Sequence, residues 1–286
     1  MKQDTRPSTL QRILVPLDAS KHSMAALYAA AELAASQDAE LLGLFVEDIH
    51  LLQLSEFPFV REVSLLGPTF RPIDRAETER HLRIQAERVR KALSEVAQRF
   101  HVRWTFKVAR GGVSKEVLAE AEKADLTILG RSGQTMPRSQ RVGSTVRTVL
   151  AQGRGMTLIM QHGTRFQPPV QILFSGSELS ANALDVAADL CRRRAMPLVV
   201  LILDGAEHTV HRLQSRAFSI ASEHGVQPTL FVIHGPTLPQ IGQVVRTHGS
   251  GPLFLPCEEP HMHGECLQDL VDSLENPVFL IRPKKE

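Results

Sequence analysis

Short apolar runs alternate with longer stretches of helical periodicity along most of the chain. In the first half, apolar runs at 11–17, 40–47, 102–108, 125–130 and 156–161 predict strands. Helices are predicted at 20–37, 74–100, 113–123 and 143–153, and 48–73 reads as irregular. Along 74–100 the residues Leu82, Ala86, Val89, Leu93, Val96 and Phe100 step by four and three, giving one apolar stripe and a solvated charged face. Asp74 followed by Glu77 is a capping box at the start of that helix. The second half predicts elements at 170–174, 180–195, 198–204, 207–224, 227–233, 238–248, 252–255, 265–274 and 277–282. Strand–helix alternation of this kind predicts a parallel sheet covered on both faces, with right-handed crossovers.

The pattern repeats. The text A-L-x-x-A-A-[DE]-L occurs from Ala26 to Leu33 and again from Ala183 to Leu190. Ahead of it, Arg12-Ile13-Leu14-Val15-Pro16 is matched with Gln171-Ile172-Leu173-Phe174-Ser175. The segment 162–169 carries Gly163, Pro168 and Pro169 and reads as a linker. The expected organisation is a domain at 1–161, a linker at 162–169 and a second domain at 170–286. The last strand of each copy would expose an apolar edge, and pairing 156–161 with 277–282 inside one chain would cover both.

Composition narrows the class. Of 286 residues, 43% are hydrophobic and 22% charged, which suits a globular chain rather than a disordered one. The net charge of +2, one Trp and one Tyr give no push toward nucleic acid or a membrane surface. No apolar run approaches the length of a transmembrane helix, no leader is read, and three cysteines are too few for a disulfide framework. A reducing, cytoplasmic setting is expected. The total conceals a split: residues 1–161 hold 23 Lys/Arg and 18 Asp/Glu, whereas residues 162–286 hold 10 and 13.

In an open parallel sheet, ligands bind beyond the carboxyl ends of the strands at the switch in strand order. The turns after 11–17, 40–47 and 125–130 are therefore the places to search. After the last of these stands Leu129-Gly130-Arg131-Ser132-Gly133, and nine residues later Gly143-Ser144-Thr145 opens a helix. Glycines permit close approach of backbone to a ligand. A helix start supplies free N–H donors and a positive dipole end. Arg131, Arg138 and Arg141 add charge. Together these predict an anion cradle, most naturally for phosphates. An isolated glycine pair would be an ordinary loop, and an isolated Asp18 ahead of a helix would be a cap.

The spacing G-x2-G-x9-G-[ST] at Gly130, Gly133, Gly143 and Ser144 resembles the ATP-binding signature of the universal stress protein family. The opening Ile13-Leu14-Val15-Pro16-Leu17-Asp18-Ala19-Ser20 and the piece Val46-Glu47-Asp48 resemble the family as well. The likeness covers the first half fully and the second more loosely, so the chain looks like a tandem member. The resemblance implies an α/β fold of two tandem five-stranded parallel-sheet sandwiches. These would be Rossmann-like, similar to adenine nucleotide alpha hydrolases, and related by a pseudo-twofold axis. It implies bound ATP, or AMP or ADP, with Mg²⁺ as an accompanying ion. Asp18 would bond the ribose hydroxyls or the adenine edge, with Pro16 and Leu17 lining the same turn. Val46 would meet adenine. Leu129, Gly130 and Gly133 would approach ribose and phosphates, and Gly143, Ser144 and Thr145 would bind phosphates. Arg131 stands at a variable position of the motif, so its phosphate role is inferred from its charge alone.

The second copy departs from the signature. Counting back from the last strands aligns Gly264 with Gly143, Glu265 with Ser144 and Pro256 with Gly130. Proline has a fixed φ and no N–H donor, and Glu258, Glu259 and Glu265 oppose phosphate. Seven residues separate Pro256 from Gly264, against twelve between Gly130 and Gly143. Ser177 stands near the position of Asp18. One nucleotide site per chain is expected. Nearby, Cys257, His261, His263 and Cys266 carry zinc-ligand chemistry at a non-standard spacing, which reads as a solvated loop with a partly buried Cys266.

No Walker lysine, G-x-S-x-G elbow or H-E-x-x-H occurs, and no acid–base pair flanks the Gly loop. Asp18, Glu47 and Asp48 are the candidate Mg²⁺ holders. Three functions stay open: a non-enzymatic ATP-binding stress sensor, a slow ATPase or ATP-using transferase, and a scaffold whose second domain takes an apolar ligand or protein partner near Leu203. Dimerisation of whole chains is a further expectation.

Overall fold

The computed structural model describes residues 10–54, 61–63, 70–72, 75–131, 142–160, 166–204, 207–235, 237–257 and 264–283. The first half runs β1 (Arg12–Pro16), α1 (Lys21–Gln37), β2 (Glu40–Asp48), α2 (Ile49–Leu54), β3 (Arg61–Val63), β4 (Phe70–Pro72), α3 (Arg75–Phe100), β5 (Trp104–Gly111), α4 (Val113–Ala121), β6 (Leu126–Gly130), α5 (Ser144–Gln152) and β7 (Met156–Met160). The second half runs β8 (Val170–Phe174), α6 (Glu178–Arg194), β9 (Leu198–Asp204), α7 (Glu207–Glu223), β10 (Pro228–His234), α8 (Leu238–His248), β11 (Leu253–Pro256), α9 (Gly264–Ser273) and β12 (Val278–Ile281).

Ten strands form one sheet in the order β10-β9-β8-β11-β12-β7-β6-β1-β2-β5. All neighbours are parallel except β12 and β7, which run antiparallel with Val278 opposite Ile159 and Ile281 opposite Met156. The two expected edges thus cover each other within the chain. Each half follows the same internal order, so strand order reverses between β1 and β6 and again between β8 and β11. Helices α1, α3, α6 and α7 cover one face of the sheet, and α4, α5, α8 and α9 cover the other. Coverage on both faces is why β8 is buried at every position and why these strands read as unbroken apolar runs. On α1 the buried side is largely alanine (Ala26, Ala29, Ala30, Ala34), which lets the helix lie close on the strands. Among the described residues no helix is long and apolar enough to cross a membrane.

The stretch 48–73 is less irregular than expected. It holds the six-residue α2 and an antiparallel ladder of β3 with β4, pairing Arg61 with Pro72. Elements this short lie below the length at which periodicity shows. Asp74, the expected cap of α3, lies outside the described residues.

Strand pairing also corrects the alignment of the halves. Leu14 pairs with Leu42 and Thr127, and Gln171 pairs with Val199 and Leu253, so Gln171 occupies the position of Leu14 rather than of Arg12. Ser175 then stands at the position of Asp18, and Ser177 at that of Ser20. The apolar runs carry no internal mark of register, whereas the alanine-rich helices do.

Candidate functional site

The chain leaves β1 with the Leu17 N–H donating to the Leu44 carbonyl at 2.8 Å, which prolongs the ladder with β2 by one residue. Asp18 follows, half-buried, and Ala19 adopts a left-handed φ of 60°. Ser20 caps α1: its Oγ accepts the Ser23 N–H at 3.0 Å. The Asp18 carboxylate accepts the Ser20 N–H at 3.0 Å, and the Asp18 N–H donates to the Ser23 hydroxyl at 3.4 Å. The cap reading of Asp18 therefore holds in part. Its Oδ1 shapes the turn, and the turn fixes the carboxylate at the carboxyl end of β1. Pro16 is half-buried beside it and Leu17 is buried.

On β2, Val46 is half-buried and packs with Ala109 against the core of the α4–α5 face. Glu47 accepts from Arg110 Nε at 2.9 Å. Asp48 lies 2.9 Å from His50 Nδ1 and also accepts the His50 N–H. Among the described residues no group of three or more His, Cys, Asp or Glu is placed to hold a metal ion. Asp18, Glu47 and Asp48, the candidate holders of Mg²⁺, do not form such a group.

Across the switch, β6 ends at Leu129, which is buried, and Gly130. A Cβ on Gly130 would lie 2.4 Å from the carbonyl carbon of His22 and 2.5 Å from its oxygen. Both neighbours are backbone, so the first turn of α1 rests directly on this glycine. Gly130 is therefore required by the packing of α1, before any ligand is considered. Gly133 lies outside the described residues, as do Arg138 and Arg141. The chain returns at Val142, and Gly143 is the N-cap of α5, with no side-chain hydrogen bond to the cap. Ser144 is exposed and Thr145 half-buried at the first turn. A helix start presents N–H donors and a positive dipole end, and the Gly143 N-cap has no side chain of its own to meet them.

Arg131 has a described contact with the other half. Its guanidinium reaches the end of α9, with Nη1 donating to the Leu274 carbonyl at 3.2 Å and Nη2 to the Asp272 carbonyl at 2.9 Å. This contact between the halves was not expected from its charge. The sequence held no sign of this, because the partner is remote and reaches Arg131 only through the β7–β12 pairing.

The equivalent place in the second half is built differently. Pro256 pairs with Ile281 as Gly130 pairs with Met160, and Cys257 takes the place of Arg131. A Cβ on Gly176, whose φ is 83°, would sit 2.2 Å from Leu213 Cδ2 of α7, and that side-chain end would have to shift. Arg216 of α7 also donates to the Gly176 carbonyl and pairs with Glu178 at 2.8 Å. Helix α7 thus lies over the turn. Cys257 is buried and Cys266 exposed, the reverse of the expectation. Burial holds the Cys257 thiol above its usual range, against the pull of Arg282. Glu258, Glu259, His261 and His263 lie outside the described residues, and of Gly264 and Glu265 only the backbone is described.

A recess of about 1240 Å³ lies along the seam between α1 and α6, lined by Leu33, Met156, Val186, Ile220, Phe279 and other residues. None of the first-half site residues borders it.

These observations define an α/β protein with a switch in strand order in each half. The family model described as the universal stress protein family matches residues 9–160, more than half of the chain, and the chain belongs to that family. Solved structures share the whole architecture. A universal stress protein from Archaeoglobus fulgidus DSM 4304 matches with a TM-score of 0.72 at 14% identity, over 95% of this chain and 98% of that one. A putative universal stress protein from Pseudomonas aeruginosa UCBPP-PA14 matches with a TM-score of 0.62 at 15% identity, over 96% and 94%. At such identities the likeness concerns the fold. No curated protein matches the chain.

Proposed function

We propose that the first half of the chain binds one adenine nucleotide, ATP, ADP or AMP, beyond the carboxyl ends of β1, β2 and β6. The protein would then act as a non-enzymatic stress-response sensor or regulatory module. The observation that carries this is the placement, at the carboxyl ends of the neighbouring strands β1 and β6, of a half-buried Asp18 and of an α5 start whose N-cap, Gly143, has no side chain of its own to cap it. Asp18 offers an acceptor for ribose hydroxyls or an adenine amino group. Val46, half-buried on the neighbouring strand, offers an apolar contact for the base. Ser144 and Thr145 offer backbone N–H groups and hydroxyls to phosphate oxygens, and Gly143, whose own N–H bonds the Arg131 carbonyl, keeps side-chain bulk away from them. The bound nucleotide supplies the phosphate charge that this helix start lacks.

The donor set fits a nucleotide in the first half only. In the second, Pro256 replaces the glycine and α7 closes over Gly176. The domain division at 1–161 and 170–286 follows from the same contrast. A nucleotide site does not by itself make an enzyme, and the sensor reading is the one proposed. Titration calorimetry with ATP tests the reading, and one site per chain is expected. Gly143→Asp would place a carboxylate at the helix start and is expected to weaken binding about a hundredfold. Equal affinity in both proteins, or two sites per chain, would overturn the assignment.

A further inference from the structure

The loop bearing the Gly-rich motif leaves β6 at Arg131 and joins α5 through Val142, and one side chain of the other half holds both ends. Asp272, in the last turn of α9, accepts the buried Val142 N–H at Oδ1 over 2.9 Å. The same Oδ1 lies 3.4 Å from Arg131 Nη2. The Arg131 carbonyl in turn accepts the Gly143 N–H at 2.8 Å, so the two stems are tied to each other as well as to α9. Counting back from β7 and β12 places Ala151 of α5 at the position of Asp272. The carboxylate thus stands in α9, beside Arg131 and Val142, where α5 has an alanine.

We propose that Asp272 is a positioning residue for the nucleotide site. Resting on the nucleotide reading above, the inference adds that the second half supplies part of the first half's binding geometry. Asp272 fixes Val142, and through it Gly143, so that the first amides of α5 are already aimed before a phosphate arrives. Pre-formed donors spare the ligand the cost of ordering the chain, which raises affinity without a new contact. The half that lost the motif is in this sense the template on which the other half's loop is set.

Amide exchange and calorimetry on the full-length chain test this together. In Asp272→Ala without ligand, the Val142 and Gly143 amides are expected to exchange about tenfold faster. ATP affinity is expected to fall about tenfold. Asp272→Asn keeps an acceptor for the Val142 N–H and is expected to recover most of both losses. If Asp272→Ala fails to fold, Asp272→Thr carries the same comparison with Asp272→Asn. Unchanged exchange at the two amides, or full ATP affinity in Asp272→Ala, overturns the positioning role. A wild-type chain that binds no ATP, while these amides still respond to Asp272→Ala, overturns the nucleotide reading and reduces Asp272 to a clamp between the halves.

Discussion

After β1 the chain runs Asp18-Ala19-Ser20 into α1, and after β8 it runs Ser175-Gly176-Ser177 into α6. Both turns place a left-handed residue before the cap, Ala19 at φ 60° and Gly176 at φ 83°. Both caps accept an N–H at 3.0 Å, from Ser23 and from Ser180. The local backbone chemistry is the same in the two halves, and what differs is what lies over the turn. In the second half Leu213 and Arg216 of α7 occupy that space. In the first half the start of α1 rests on Gly130. The comparison teaches that a repeated fold keeps the features its backbone needs, caps and left-handed turns, while the features a ligand needs are free to diverge.

The largest expected break in this comparison is at Gly130. Its missing Cβ faces the His22 carbonyl carbon at 2.4 Å, a backbone neighbour that no rotamer change can clear. Gly130→Ala is expected to cost about 3 kcal/mol, measured by urea denaturation. Pro256, the residue at the same place, already carries a side chain, so Pro256→Ala is expected to stay within about 1 kcal/mol. Equal losses in the two variants would mean that the α1–β6 approach is not tighter than its counterpart.

The strands and helices of the sheet were legible because both faces are covered, which leaves unbroken apolar runs bounded by turn residues. The repeat was legible in its helices, where alanine spacing marks register. It was misread by two residues in β1 and β8, where any apolar residue serves. The end of β6 at Gly130 and the start of α5 at Ser144 were legible through their glycines, since glycine serves a close backbone approach and a helix start. Neither the use of Arg131 nor the existence of the Asp272 contact was legible. Both depend on the antiparallel register of β7 with β12, which sets two remote helix ends side by side. Charge alone gave no hint that Arg131 reaches the α9 carbonyls, for the same reason.

A smaller effect sharpens the shared part of the comparison. Ser20→Ala and Ser177→Ala each remove one cap hydrogen bond of equal length, and each is expected to cost about 1 kcal/mol by thermal or urea unfolding. The expectation is of equality. A clearly larger loss at Ser20 would show that Asp18, whose Oδ1 accepts the Ser20 N–H, depends on the cap more than its counterpart Ser175 does.

The smallest effect concerns the two outer edges of the sheet. Lys107 on β5 pairs with Leu44, and Phe231 on β10 pairs with Leu201, so a charge and an exposed ring share one position. Charged side chains on an edge oppose pairing with other strands, and Phe231 offers no such protection. Lys107 is moreover engaged. Its ammonium and that of Lys123 each lie 2.8 Å from Glu120 Oε1. Hydrogen bonds from Lys107 first and Lys123 second hold the Glu120 carboxyl below its ordinary value of 4.5, against the opposing effect of burial. A depressed folded-state value means that the stabilisation is present above the unfolded-state value and is lost as pH falls through the folded one. Both lysines are about half exposed, so solvent screening keeps the contribution below about 1 kcal/mol. Glu120→Gln is therefore expected to lower the urea midpoint slightly at neutral pH and to match the wild type well below pH 4.5, where the carboxyl is protonated in both states. A gap between the two proteins that persists undiminished into acid would show that Glu120 stabilises β5 by packing, and that the edges differ in shape rather than in charge.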